Sequence, residues 1–111
     1  FLHHMKKLDM ELVKMDIEKS GICHHMIFET KYIDEIITKI ETIHNEVFYN
    51  IFLNMVEDKN HSGASEYEIY FNYMLKYHPA KIKIRKLNWK NTNNIQINNN
   101  LDYISYHYYM R

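Results

Sequence analysis

The sequence predicts an α/β protein in which about four helices flank a thin sheet. Apolar residues recur every three or four positions in four segments, which is the period of an amphipathic helix. Short apolar or alternating runs lie between and after these segments, and such runs are typical of strands. Three strands are few for an independent domain of this class, so we expect the chain to be a fragment of a larger one.

The first segment, residues 1–19, is predicted to be a polar helix or linker. Its apolar residues have helical spacing: Leu2, Met5, Leu8, Leu12 and Met15. The chain begins with Phe1 rather than methionine, and we expect this start to be a cut. Residues 1–19 would then continue from a missing upstream half, and residues 20–111 would form the C-terminal part of the domain.

Three further helices are predicted along the chain. Isoleucines at helical spacing predict a helix over about residues 31–44, with Thr30 placed to cap its N-terminus. Residues 46–56 predict a second, shorter helix. The third begins at Ser65 and ends before His78, because a residue that precedes proline avoids the helical region.

The same patterns predict three strands. An apolar run at residues 22–28, directly after Gly21, has the length and composition of a buried strand. The alternating residues 82–87 predict a half-buried strand, and residues 88–100 predict an asparagine-rich loop. The chain closes with DYISYHYY, a predicted strand in which alternate residues share one face: Tyr103, Ser105, His107 and Tyr109.

Charge and composition argue against several classes of function. Fourteen basic and fourteen acidic residues cancel, so no net field would draw the chain to nucleic acid or to an anionic membrane. The apolar runs fall far short of a membrane span, and no signal peptide is visible. The single cysteine, Cys23, cannot form an internal disulfide, which fits a reducing compartment, and we expect a cytoplasmic location.

Two adjacent histidines, His24 and His25, are the first candidates for a functional site. Neighbouring side chains on a strand point to opposite faces, so this pair is not expected to bind one metal ion together. In the functional interpretation one imidazole faces a cleft and contacts substrate while the other faces the core. In the structural interpretation both are packed, hydrogen-bonded core histidines.

The segment SGASEYEIY contains two candidate acids. Ser65 and Glu68 match the S-x-x-E capping box, which explains both residues without a functional role. Glu66 is not needed for that box, although a carboxylate in the first turn also favours the helix dipole. A glycine-containing loop that delivers a carboxylate to a helix start is also a common way to place a general base. Glu66, and after it Glu68, are therefore the candidate catalytic residues.

His107 and Trp89 complete the candidates. His107 is either an incidental histidine of an aromatic edge strand or a metal ligand that needs carboxylate partners from elsewhere. Trp89 ends the basic segment KIKIRKLNW. Interleaved basic and aromatic residues can bind single-stranded nucleic acid, but the zero net charge argues against it, and Trp89 could equally stack on a sugar ring.

Four pieces of the sequence, taken in order, resemble one family. They are SGICHHMIF, SGASEYEIYFNYML with the following His-Pro pair, KIKIRKLNW and DYISYHYY, and together they cover about residues 20–109. The resemblance is to poorly characterised glycosyltransferase-like proteins with a GT-A-type nucleotide-sugar fold. It implies that the chain is the C-terminal portion of a GT-A-like, Rossmann-like mixed sheet flanked by helices. The missing half would supply the donor-binding strands and an acidic D-x-D-type motif.

The resemblance also implies a role for each candidate residue. His107 is similar to a late metal-binding histidine and Glu66 to an acceptor-side acid, with Glu68 as the second choice. His24 or His25 would line the cleft. The implied reaction transfers a sugar from a nucleotide-sugar donor to an acceptor hydroxyl of a glycan or other molecule, while Mn²⁺ or Mg²⁺ neutralises the leaving diphosphate.

Two expectations follow from the missing half. The cation is expected only together with the upstream acidic motif, so the fragment alone should be inactive. The alternative is a non-catalytic interaction module on the same fold. In that alternative Ser65 and Glu68 only cap a helix, and the histidines are packed.

Overall fold

Among residues 1–23, 25–94 and 99–107, which the computed structural model describes, four helices precede a two-stranded parallel sheet. The elements are α1 (Leu2–Leu8), α2 (Thr30–His44), α3 (Phe48–Asn54), α4 (Glu66–Tyr77), a 3₁₀ turn (Pro79–Lys81), β1 (Trp89–Thr92) and β2 (Tyr103–Tyr106). The coarse prediction of a mixed helix-and-strand protein is therefore confirmed. No helix in these ranges is long and apolar enough to cross a membrane.

The predicted central helices are present with small changes at their ends. Thr30 is the first residue of α2, and the N-cap is Glu29, so the predicted cap is displaced by one residue. Helix α2 ends at His44, and the following residue, Asn45, has a φ of 50°, the left-handed conformation that commonly terminates helices. Helix α4 begins after Ser65, whose hydroxyl accepts a hydrogen bond from the Glu68 amide at 3.3 Å, as the capping pattern predicts.

The helical part of residues 1–19, which were predicted to be a polar helix or linker, is short. It ends at Leu8, and the side chain of Asp9 then accepts a hydrogen bond from the Glu11 amide at 2.9 Å. Asp16 accepts one from the Glu18 amide at 3.0 Å in the same way. Such local bonds offer the backbone an alternative to the helical ladder, which explains why the 3.6-residue period over residues 1–19 was misleading.

Two predicted strands are wrong. The described residues of 22–28 form no strand, and Ile27 is 83% exposed instead of buried. The second wrong prediction is residues 82–87, which have no regular structure, while β1 lies within the predicted loop at 88–100. Short apolar and alternating runs become strands only where a partner strand is available, and neither segment has one among the described residues.

The closing strand is confirmed as β2, and its predicted continuation through Tyr109 falls outside the described residues. It pairs in parallel with β1, and Trp89 lies directly opposite Tyr103. Because alternate residues of a strand share one face, Ser105 and His107 lie on the Tyr103 side of the sheet.

The core is formed by side chains of all four helices and by Leu12, which follows α1. Its buried side chains are Met5, Leu8, Leu12, Tyr32, Ile36, Ile40, Ile51, Ile69, Tyr70, Tyr73 and Met74. The N-terminal segment thus contributes three core residues. Met5 and Leu8 lie on α1, which contacts α4, and Leu12 lies beyond the end of this helix. This core holds α4 rigidly, and α4 in turn supports the candidate site.

Candidate functional site

A groove with a volume of about 950 Å³ lies beside α4. Side chains of Tyr70, Phe71 and Met74 from α4 line it, together with residues from 18–29 and from 81–89 and the side chain of Tyr103. The lining therefore combines apolar and aromatic side chains, which are common in small-molecule sites, with more charged groups than such sites usually have.

The groove depends on a close approach between Gly21 and α4. Gly21 is buried, and a Cβ atom built on it would lie 2.6 Å from the Cβ of Phe71 and 2.7 Å from the carbonyl oxygen of Tyr67. Only glycine allows the chain to pass the helix backbone at this distance. The glycine of the SGICHHMIF segment is therefore explained by packing.

An aromatic cluster forms one wall of the groove. The Trp89 and Tyr103 rings are 5.9 Å apart between centroids and nearly parallel, at 6°, because these residues face each other across β1 and β2. The His25 ring lies 4.7 Å from the Tyr103 ring, at 52°. Two residues predicted to bind substrate, His25 and Trp89, thus meet in space although 64 positions separate them, and Trp89 remains 51% exposed.

Glu68 lies beneath this groove rather than in it. Its side chain is buried, and one carboxylate oxygen accepts hydrogen bonds from the Ser20 hydroxyl at 2.9 Å and the Gly21 amide at 3.0 Å. The other oxygen lies 2.9 Å from the Lys14 ammonium and 2.9 Å from the Asn72 side-chain amide. Lys14, Ser20 and Gly21 belong to the segment before α4, whereas Asn72 belongs to α4 itself, so Glu68 joins residues 14–21 to the helix.

The charge of Glu68 is favoured by these donors. Desolvation raises the pKa of Glu68, but the hydrogen bonds from Lys14, Ser20 and Gly21 together outweigh it and hold the pKa below its ordinary value of 4.5. A carboxylate that stays ionised and fully bonded has no free lone pair for a substrate proton. This geometry supports a structural role and makes Glu68 a poor general base.

Glu66 and His107 do not line the groove. Glu66 is exposed in the first turn of α4. His107 follows β2, four residues beyond Tyr103, and a strand rises about 3.3 Å per residue, so it lies about 13 Å further along the sheet. There its imidazole Nε2 is 3.1 Å from the Asn91 side-chain oxygen. The structure therefore brings His25 and Trp89 together but leaves Glu66, Glu68 and His107 apart from them.

The predicted cation has no ready-made site in the described part of the chain. No group of three or more histidine, cysteine, aspartate or glutamate side chains could hold a metal ion among residues 1–23, 25–94 and 99–107. His107 could contribute one ligand, with the rest of the coordination coming from outside the described residues. His24, the other predicted substrate contact, also lies outside the described residues.

Sequence reasoning missed a histidine–carboxylate pair at the end of α4. The His78 Nε2 atom is 2.7 Å from the Glu35 carboxylate, which also accepts a hydrogen bond from the Tyr73 hydroxyl at 3.0 Å. The bond to His78 lowers the pKa of Glu35, while burial and the bond to Glu35 raise the pKa of Tyr73 to about 12. The His-Pro pair was visible in the sequence, but the spacing of residues does not reveal that the carboxylate partner of His78 is on α2.

The described residues thus define a small mixed helix-and-strand protein with an aromatic groove supported by a buried carboxylate. No known protein family, curated protein or solved structure matches this chain.

Proposed function

We propose that this chain is the acceptor-side part of a metal-dependent glycosyltransferase, which transfers a sugar from a nucleotide-sugar donor to an acceptor hydroxyl. The observation that carries the proposal is the aromatic wall of the groove, formed by Trp89, Tyr103 and His25. The C–H face of a sugar ring is apolar and packs against the negative face of an aromatic ring, while its hydroxyls bond to nearby polar groups.

The proposal assigns separate roles to the residues of the groove and to the residues outside it. The groove would hold the acceptor, with His25 donating or accepting a hydrogen bond and Trp89 stacking on a ring. His107 would supply one ligand to Mn²⁺ or Mg²⁺, and an upstream acidic motif would supply the others. When bound, the cation would neutralise charge on the leaving diphosphate. Glu66 remains the candidate for the acceptor-side base on the sequence resemblance alone, because it lies outside the groove lining.

A second candidate function is a non-catalytic interaction module with the same fold. It is favoured by the positions of the two predicted acids, because Glu68 is buried beneath the groove and Glu66 lies outside its lining. In this alternative the groove binds its ligand without transforming it.

The experiment uses the full reading frame that contains this chain. The protein is incubated with nucleotide-sugar donors and Mn²⁺, and release of the nucleoside diphosphate is measured with and without a chelator. The proposal expects metal-dependent release that His107→Ala abolishes while the melting temperature stays unchanged. The exposed His61→Ala variant is the matched control.

Each outcome separates the alternatives. Release that persists in His107→Ala removes this residue from the metal site, and absence of release from every donor overturns the transferase proposal. Groove binding without release would establish the interaction module. Residues 1–111 alone are expected to show no turnover, because the proposal assigns donor binding to residues outside this range.

A further inference from the structure

The groove has a strongly cationic rim on the side of residues 81–86. Five cationic side chains and two carboxylates line the groove: Lys19, Lys81, Lys83, Arg85 and Lys86, with Glu18 and Glu29. The chain as a whole has no net charge, so this excess is local. A cleft lined mainly by one sign of charge concentrates ligands of the opposite sign.

Four of these cations have no anionic partner among the described residues. Lys81, Lys83, Arg85 and Lys86 are all exposed, and none of them forms an ion pair with another described residue. Lys19 differs, because its ammonium lies 2.8 Å from the Asp16 carboxylate. Unpaired cations on a groove wall are available to a ligand.

The cationic rim continues directly into the aromatic wall. Residues 81–87 and Trp89 line the same groove, and Trp89 stacks beside Tyr103. A ligand ring on Trp89 would therefore place a negatively charged substituent within reach of Lys83 or Arg85. Guanidinium and ammonium groups form their strongest hydrogen bonds with phosphate and carboxylate oxygens.

We infer that the groove binds an anionic sugar, with the pyranose ring against Trp89 and Tyr103 and its phosphate or carboxylate group on the cations of residues 81–86. This inference rests on the proposed function and specifies its acceptor as negatively charged. A nucleic-acid strand fits less well, because Glu18 and Glu29 on the lining would repel a polyanion that followed the groove.

The single tryptophan of the chain makes the test direct, because Trp89 fluorescence reports only on this groove. Purified protein is titrated with glucose, glucose 6-phosphate, glucuronate, inorganic phosphate and a short single-stranded oligonucleotide. The two anionic sugars should bind at least about tenfold more tightly than glucose or phosphate alone. Their relative affinities distinguish a phosphate from a carboxylate ligand, and added salt should weaken both.

The double variant Lys83→Gln and Arg85→Gln should weaken glucose 6-phosphate binding by about tenfold or more and leave glucose binding unchanged. Lys59→Gln, an exposed lysine outside the groove, is the matched control and should have no effect. Thermal melts verify that all variants fold.

Three results would overturn the inference. Equal affinity for glucose and glucose 6-phosphate would remove the anionic specificity but leave carbohydrate binding intact. If the oligonucleotide or inorganic phosphate binds more tightly than the anionic sugars, the groove recognises a different class of ligand. If none of the sugars binds, the groove would also no longer support the proposed function. Tight anionic-sugar binding in a full-length protein that transfers no sugar would contradict only the transferase proposal.

Discussion

The Lys14 ammonium lies 2.9 Å from the Glu68 carboxylate, and this ion pair joins the N-terminal segment to the helix that supports the groove. The Glu68 side chain is 2% exposed and that of Lys14 18% exposed, so the pair is largely shielded from water. Asn72 strengthens the connection, because its side-chain oxygen accepts a hydrogen bond from the Met15 amide at 2.8 Å. Residues 14–21 are therefore held against α4 by polar contacts as well as by the close packing of Gly21.

Replacing Glu68 should lower the stability of the fold, because its role is structural rather than catalytic. Glu68→Ala leaves the Lys14 ammonium and several donors without their acceptor, and the free energy of unfolding should fall by about 3–5 kcal/mol. Glu68→Gln keeps the shape but removes the charge, and it should cost about 1–3 kcal/mol. Chemical denaturation measures both.

Glu66→Gln is the control for these variants, because Glu66 is exposed and its replacement should change stability by less than about 0.5 kcal/mol. A Glu68→Gln variant with full stability and lost activity would contradict the structural role and support catalysis by Glu68.

The lowered pKa of Glu68 predicts acid sensitivity. A carboxyl group with a folded-state pKa below its unfolded value contributes stability that is fully present above the unfolded value of about 4.5. That contribution is lost as pH falls through the lower folded-state pKa. Other carboxyl groups, including that of Glu35, also have lowered pKa values, so both proteins should lose stability in acid. Denaturation curves measured at steps of about one pH unit from about pH 6 downward should show a larger loss in the wild type than in Glu68→Gln. An identical loss in both proteins would contradict the assignment.

His4 predicts a second loss of stability at milder pH. Its Nε2 atom is 2.8 Å from the Phe52 carbonyl oxygen, which can only accept, so Nε2 carries the proton in the neutral ring. Burial is the largest cause that lowers the pKa of His4, and its Nδ1 atom is buried without a partner among the described residues. Protonation would place a second N–H group where nothing accepts it.

Because the folded-state pKa of His4 lies below 6.5, its contribution to stability is complete above that pH and declines as pH falls. The free energy of unfolding should fall by up to about 1.4 kcal/mol per pH unit while this group titrates. His4→Phe should remove that slope, whatever its effect on absolute stability. His61→Gln, in an exposed loop, should keep the slope, and a slope unchanged in His4→Phe would refute the assignment.

Gly21→Ala should disturb both the packing and the groove. The added methyl group would overlap the Phe71 side chain and the Tyr67 carbonyl, and the backbone partner cannot move aside cheaply. We expect a loss of about 1–3 kcal/mol in the free energy of unfolding, together with weaker ligand binding next to residue 21. Ser62→Ala, in the exposed loop before α4, serves as control. Unchanged stability in Gly21→Ala would show that the segment approaches α4 less closely than the structure indicates.

The sequence by itself determined the elements that form through local interactions. The isoleucine period of α2 and the Ser65 cap of α4 act within one helix, so their signals do not depend on the rest of the chain. The aromatic strand Tyr103–Tyr106 was also predicted correctly. Residues 1–19 were predicted to be a polar helix or linker, and only Leu2–Leu8 is helical. Side-chain hydrogen bonds of Asp9 and Asp16, which the apolar period does not reveal, offer the later residues an alternative to the helix.

Only the tertiary structure decided which side chains meet. It brought the Glu68 carboxylate into contact with the amide of Gly21, which is 47 residues away in the sequence. It also brought His25 and Trp89 to one groove and left His107 outside the lining of that groove. Contacts of this kind depend on how helices and strands pack, and the spacing of residues along a chain carries no information about partners on other elements. The roles of buried acids and exposed rings therefore follow from packing, whereas helices and caps follow from local sequence.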